Sequence, residues 1–493
     1  MKYAFFIILL VPSILLHAQK TLPQNPFRAE NEVSGDETPY DVFPLGQMGV
    51  VVMRTGMAAF YDENLTLRWN VGFSLDRDYS NAGYEFLNDS LHFIFRGKGK
   101  FVYLRISLSD GNGTAKYMNL TLTDNENIDR VQISENKAMF LVSNKDKYRF
   151  LMYSYDRDTF VAGEIPLRGS YTCSSVVFDT LYGKVYALFN SASYREDALL
   201  LAVSDTLLTE VLLNEVRVNR NDIRLLNGSI AVLGKDEIAI AGSWNFNKNK
   251  QDVSYYDKGT SSAGIYAVVC RNGTVDSAAT VLKTYSQFSQ SNNREYLTQT
   301  RVVPLQSVGN NGGGFAVLSE VYERKFFTTT ETYYDAYGRI IPYTRTMYEG
   351  VSFKNVFCGL FSADGQRKLK NDGLYVFDVS SDNVYSALFD YSAFAQDSSG
   401  NILYAFPSEG RVYYRALPAA QDTAHTVYLQ DVSGGRLTPL YSGDRVQKNW
   451  NNRVINWYGG CFLACGYQQI LNHKAPRSVR NVFYLNKLLM GWR

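Results

Sequence analysis

Three aspartates sit in short apolar runs far apart in the chain: Asp41 in YDVFPL, Asp179 in VVFDTLY and Asp390 in SALFDYS. Carboxylates gathered from distant segments are the groups that glycoside cleavage uses, one as acid and one as base or nucleophile. Acids in such runs also accept backbone hydrogen bonds or line a watery channel, and the sequence does not choose between these roles. Other chemistry is sparse. Of the 4 histidines, His17 falls within the N-terminal leader, and His92, His425 and His473 stand in unrelated segments. No His-built metal site is expected. Neither H-E-x-x-H nor G-x-S-x-G occurs. The run from Asp76 through Asp78 and Ser80 begins like a calcium loop. Asn81, however, stands where the sharp turn needs glycine, and Leu87 where a bidentate Glu is required. The glycine-rich stretch 309–314 has no Lys-Ser/Thr after it and reads as a turn entering a strand. Nothing in these patterns calls for a cofactor.

The segments that must position any such site come next. The chain begins MKYAFFIILLVPSILLHAQK. Its single Lys, short apolar run and small-residue end match a secretory signal peptide, with cleavage expected after Ala18. The run is shorter than the roughly 18 residues a spanning helix needs, and no later segment is apolar enough to span a bilayer. Residues 1–18 are read as signal and 19–493 as the exported protein, periplasmic, outer-surface associated or extracellular. A formal net charge of +2 with acids and bases interspersed lacks the basic stripe of a nucleic-acid binder, so no nucleic-acid partner is expected. The 5 cysteines are Cys173, Cys270, Cys358, Cys461 and Cys465. On a strand, Cys461 and Cys465 would lie about 13 Å apart, beyond the reach of a disulfide. Buried thiols are the expectation.

Short alternating or apolar runs separated by Asp, Asn and Gly turns fill the rest, which indicates an all-β chain. The runs recur with a long period. SLHFIFRG, KFVYLRISLSDGNG and TAKYMNLTL form one unit, preceded by the shorter YEFLN. GVVVMRTG, MAAFYDEN and LTLRWNV repeat that grammar after YDVFPL. Later units carry the leading runs RVQISE, SSVVFD, IRLLNG, VVPLQS and SALFDYS. Turns near Asp62, Asp110, Asp156 and Asp205 recur about every 48 residues, a spacing in the range of propeller blades.

Four antiparallel strands per unit resemble the blades of a β-propeller. The resemblance is architectural: no Trp-Asp, kelch or Asp-box signature is present. It implies one β-propeller domain over 19–493, with eight blades preferred and seven as the alternative. The last unit lacks a fourth strand, and QNPFRAENEV near the N-terminus is expected to supply it. In that frame Asp41, Asp179 and Asp390 fall on innermost strands.

Two insertions interrupt the period, near 244–263 and 325–350. The second, KFFTTTETYYDAYGRIIPYTRTMYEG, reads as a polar hairpin turning at 335–338, with Glu331 facing Tyr343 and Thr329 facing Arg345. It is expected to project beyond its blade, with both insertions on one face. The binding residues expected there are Trp244, Tyr255, Tyr256, Tyr333, Tyr334, Tyr337, Arg339, Tyr343 and Arg345. Tyr, Trp and Arg are the side chains enriched in recognition surfaces. The functional expectation is a non-catalytic binding or scaffold protein of the cell envelope that recognises a protein or glycan. Self-association through the hairpin is a further expectation, and a polysaccharide-active hydrolase or lyase using the three aspartates is the alternative. Five tripeptides, beginning at Asp89, Asp179, Asp205, Asp276 and Asp422, also resemble an O-glycosylation sequon of exported Gram-negative proteins.

Overall fold

A computed structural model of the chain describes residues 27–489, except 34–39, 192–198, 247–261, 285–300, 379–392, 418–438 and shorter gaps of one to five residues. The stretch expected to be a signal peptide lies outside the described residues.

Among the described residues the strands form eight antiparallel sheets in chain order. The first is Asp41–Pro44, Val50–Arg54, Met57–Tyr61 and Leu67–Gly72, each paired with the next. Within a sheet the inner strands are apolar on both faces. In Ser90–Gly97 and Lys137–Asn144 nearly every residue is buried, whereas the outermost strand Gly113–Thr121 is mostly exposed. A sheet with two apolar faces needs a neighbour on each.

The neighbours are the preceding and following sheets. The innermost strand Ser80–Leu87 lies against Asn127–Ile133, which lies against Tyr171–Asp179; that strand meets Ser229–Gly234, and Ser229–Gly234 meets Arg301–Gly309. Ala393–Gln396 lies against Arg445–Tyr458, which returns to Asp41–Pro44. The hydrophobic clusters accordingly sit between sheets. One joins Phe43, Val51 and Phe60 to Leu91, Phe93 and Leu104; another joins Leu188 and Leu201 to Ile240, Tyr266 and Val268. Phe43 and Phe93 meet edge to face at 5.0 Å, a favoured aromatic geometry. The fold is a β-propeller.

The turns follow a recurring device. Asp62, Asp205 and Asp335 each direct one carboxylate oxygen to the backbone N–H groups two and four residues on: Asn64 and Thr66, Leu207 and Thr209, Tyr337 and Arg339. The residue three positions on is left-handed in every case: Leu65, Leu208 and Gly338. Asp side chains commonly close turns in this way. Asp179 uses its carboxylate similarly, accepting from the N–H groups of Leu181 and Tyr182.

Two details differ from the sequence reading. The run IRLLNG supplies only Ile223–Leu225 at one end of the fifth sheet. The strand that meets the neighbouring sheets is Ser229–Gly234, because Asn227 breaks the run: its Oδ1 accepts from both N–H and Oγ–H of Ser243. In the seventh sheet the first described strand is Ala393–Gln396, just after SALFDYS, which lies outside the described residues.

The last sheet is completed as expected. Arg28–Glu32 pairs along Val482–Asn486 and forms its outermost strand. Arg28 is buried, with its Nε 2.6 Å from Glu30 Oε1, its NH2 2.5 Å from Gln468 Oε1 and its guanidinium 4.7 Å over the Tyr484 ring. Burial pushes this guanidinium below its usual range, with Glu30 opposing the shift. Arg480 then bridges Glu30 at 2.5 Å and Asp444 at 2.9 Å, while Asp444 also accepts from His473. Tyr61 donates to Asn31 and Lys487 to the Glu63 carbonyl, tying the closing sheet to the first.

Arg480→Ala leaves Glu30 and Asp444 buried with fewer partners, and the expected loss is about 3 kcal/mol of stability, read from the urea midpoint at constant slope. Burial raises the carboxyl of Asp444, but hydrogen bonds from His473 and Arg480 outweigh it and hold the group below its ordinary 3.8. A lowered folded-state value stabilises the protein above the unfolded value and ceases to do so as pH falls through the folded one. Acid denaturation of the wild type is therefore expected to show a contribution below about pH 4 that is absent in Asp444→Asn.

Candidate functional site

The second and third strands of the sixth sheet, Phe315–Tyr334 and Ile340–Ala363, run far beyond their neighbours. The innermost strand stops pairing at Tyr322 and the outermost at Asn355. From Glu323 to Tyr334, among the described residues, the ladder has only its own two strands, an arm about 40 Å long at 3.3 Å per residue.

The register of the arm is the one the sequence indicates. Glu331 faces Tyr343, Thr329 faces Arg345 and Tyr333 faces Ile341. Thr328, Thr330 and Thr332 face Thr346, Thr344 and Pro342 on the opposite side. The tip reuses the blade turn. Asp335 N–H donates to Arg339 O, Gly338 N–H donates to Asp335 O, and Arg339 Nε lies 2.7 Å from Asp335 Oδ2. Gly338 adopts φ +76°, where a side chain would strain the backbone. The Arg339 and Tyr337 backbone N–H groups keep the Asp335 carboxyl below its ordinary range.

An isolated two-stranded ribbon is marginal in water, and here cross-strand contacts hold it. Tyr333 and Tyr343 meet edge to face at 5.9 Å, and Tyr333 O–H donates to Glu331 at 2.7 Å. The Thr328–Thr346 and Thr330–Thr344 hydroxyl pairs lie at 3.4 and 3.5 Å. Tyr337 is 84% exposed and Tyr334 73%, with Phe326, Ile340, Ile341, Arg339 and Arg345 also open to solvent. The Arg339 guanidinium lies 5.4 Å over the Tyr337 ring. These side chains form an exposed cluster of large apolar and aromatic groups on a polar ribbon.

Of the residues expected to bind, the arm thus brings together Tyr333, Tyr334, Tyr337, Arg339, Tyr343 and Arg345. Tyr255 and Tyr256 lie outside the described residues. Trp244 is a correction. It is 1% exposed and belongs to the core between the fourth and fifth sheets, with its indole N–H shared between the carbonyls of Ile265 and Lys283. The strand Glu237–Phe246 continues past the expected loop start, and Ile223–Leu225 covers its end. The available signal was the alternation across Ser243, Trp244 and Asn245, which flanking polar residues obscured.

Of the aspartates of the alternative reading, Asp41 and Asp179 are not brought together. Asp41 opens its innermost strand, at the end facing Met53. Asp179 closes its own, opposite Lys184 at the hairpin. Innermost strands of a propeller run in one direction around the ring, so the two carboxyls lie at opposite ends of the channel. Asp390 lies outside the described residues. Elsewhere, His92 Nδ1 lies 2.5 Å from the Tyr103 hydroxyl and His473 is held by Asp444. Among the described residues no three His, Cys, Asp or Glu side chains come together as metal ligands would, and Cys173, Cys270, Cys461 and Cys465 are free thiols.

No family profile matches the chain, and no curated protein matches it. Solved structures with a similar chain path include the β-propeller domain of the Trilobed protease from Pyrococcus furiosus, at 9% identity and TM-score 0.34, covering 84% of this chain and 96% of that one. The polysaccharide lyase Uly1 is similar at 10% identity and TM-score 0.38, over 84% of this chain and 91% of its own. Prolyl endopeptidase structures are similar at 10% identity and TM-score 0.38, and there the match spans 51% of the longer chain. At these values the likeness extends to the path of the chain alone.

Trp244→Ala is expected to cost about 3–5 kcal/mol, whereas Tyr337→Ala should stay within about 0.5 kcal/mol. Urea unfolding of the two variants separates the core residue from the surface one.

Proposed function

We propose that this chain is an exported, non-catalytic β-propeller of the cell envelope that acts as a binding or scaffold protein, with the β-arm at 323–353 as its recognition element. The observation that carries the proposal is the exposure of Tyr333, Tyr334, Tyr337, Ile340, Ile341 and Tyr343 on an arm that stands clear of its own sheet. Side chains this large cost solubility when exposed, and a rigid scaffold that presents them suits a partner that buries them. A protein or glycan is the partner class proposed. Among proteins, one with an extended segment suits the arm best, because a ribbon with unpaired strand edges accepts an added strand.

The arm begins beyond the last pairing of the sixth sheet, and among the described residues none of 328–347 belongs to a hydrophobic cluster. Replacing residues 328–346 with a two-residue Asn-Gly turn, which joins the paired Phe327 and Met347, should leave the unfolding free energy within about 0.5 kcal/mol of wild type. The same variant should lose the partners that wild type captures from an envelope extract. The double variant Tyr333→Ala/Tyr337→Ala should weaken capture by about tenfold or more, as loss of aromatic anchors does. Capture that is unchanged by both variants would sink the proposal.

A further inference from the structure

Of the five tripeptides that set Asp before a hydroxyl residue and a small or aliphatic one, two belong to a single sheet. Asp179-Thr180-Leu181 opens the turn between the first and second strands of the fourth sheet, Tyr171–Asp179 and Lys184–Ser191. Asp205-Thr206-Leu207 opens the turn between its third and fourth strands, Leu199–Asp205 and Val211–Val216. In an antiparallel sheet both turns leave at the same end. Here they also touch, since the Thr206 N–H donates to the Gly183 carbonyl at 3.0 Å.

Each Asp ends its strand and holds the turn that follows. Asp179 Oδ1 accepts from the N–H groups of Leu181 and Tyr182, and Asp205 Oδ1 from those of Leu207 and Thr209. The Thr209 hydroxyl donates to Asp205 Oδ2 at 2.5 Å. The next two residues of each tripeptide are left facing outward. Thr180 is exposed and Thr206 half-buried, and among the described residues neither hydroxyl has a hydrogen-bond partner. Leu181 is 80% exposed and Leu207 63%.

The other tripeptides are placed differently. Ser90 is 3% exposed, and Leu91 after it is fully buried. Ser277 lies within the strand Thr274–Thr284, and the tripeptide beginning at Asp422 lies outside the described residues. A glycan is bulky and solubilising and needs a surface position. Whether it is attached before or after folding, the hydroxyl that carries it must end in water. A glycan on Ser90 would have to enter the second sheet, whereas one on Thr180 or Thr206 would extend into solvent.

From this placement we infer that the paired turns of the fourth sheet are an O-glycosylation site, with Thr180 and Thr206 as the acceptors. A separate transferase performs the step, drawing on a glycan diphosphate as donor. The threonine Oγ bonds to the anomeric carbon, and the bond from that carbon to the diphosphate breaks. The diphosphate leaves with the electron pair, and the hydroxyl proton passes to a base of the transferase. The outward leucine after each hydroxyl offers the transferase an apolar side chain to read. The inference rests on the export proposed above, because the sequon belongs to exported proteins, and it is independent of the arm.

The test is mass spectrometry of the chain purified from whole cells of the organism that makes it, with fragmentation that keeps O-linked sugars attached. The N-terminal peptide reports export separately, since a processed chain begins near Gln19. The expected result is a processed chain with a sugar mass on Thr180, Thr206 or both, and none on Ser90. Thr180→Val/Thr206→Val should remove that mass. Leu181→Lys/Leu207→Lys keeps both hydroxyls and alters only exposed side chains. It should lower occupancy by about tenfold or more, the discrimination that an apolar pocket provides. A processed chain with both hydroxyls bare overturns this inference alone, and an unprocessed chain with both bare overturns the export reading with it. Sugar on Ser90 overturns the inference as well, and so does occupancy unchanged in the lysine variant.

Discussion

The first four sheets of this protein are apolar on both faces, so none of them can exist without a neighbour on either side. The clusters that mix Phe43 with Phe93, Met139 with Phe189, or Leu188 with Tyr266 are contacts between sheets. At roughly 25 cal/mol per Å² of apolar surface removed from water, this burial dominates the favourable side of folding. A row of such sheets would leave two raw apolar faces at its ends. Closing the row removes both, and everything else in the molecule depends on that closure.

The closure is made by residues more than 400 positions apart. Arg28–Glu32 contributes backbone pairing, and Glu30 contributes a charge that must not be left alone in the interior. Burying ionised groups is costly unless they are paired and hydrogen-bonded. Here Arg28, Glu30, Arg480 and Asp444 alternate in sign, and each side chain has at least one close opposite partner. The network also discriminates. A strand out of register by one residue would turn Glu30 away from Arg480 and expose the apolar side of the strand.

A closed ring leaves each sheet little freedom, and that rigidity is what makes its loops useful. The arm is built from the same parts as the blades. An Asp-capped turn with a left-handed fourth residue closes the outer hairpin at Asp62 and also forms the arm tip at Asp335. The arm is thus an ordinary pair of blade strands continued past the edge of the sheet. Its polar composition follows from its position: with no sheet above or below it, neither face is required to be apolar.

Much of this was legible in the sequence. The four-strand unit shows in the alternation of apolar residues and in the spacing of turn aspartates, both local consequences of strand geometry. The arm's register was readable too, because a tight turn at Asp335–Gly338 determines every pair behind it. The missing fourth strand of the last unit pointed to the N-terminal segment, since an odd strand must be paired somewhere. What the sequence could not settle was which side chains the ring would cover. Trp244 looked like a loop aromatic because its neighbours are polar, yet an inner strand broken at Asn227 roofs it over. Asp41 and Asp179 looked equivalent, yet they open and close their strands and so end on opposite faces. Local periodicity is written into consecutive residues; burial, facing and juxtaposition depend on contacts across the whole ring, and only the tertiary structure decides them.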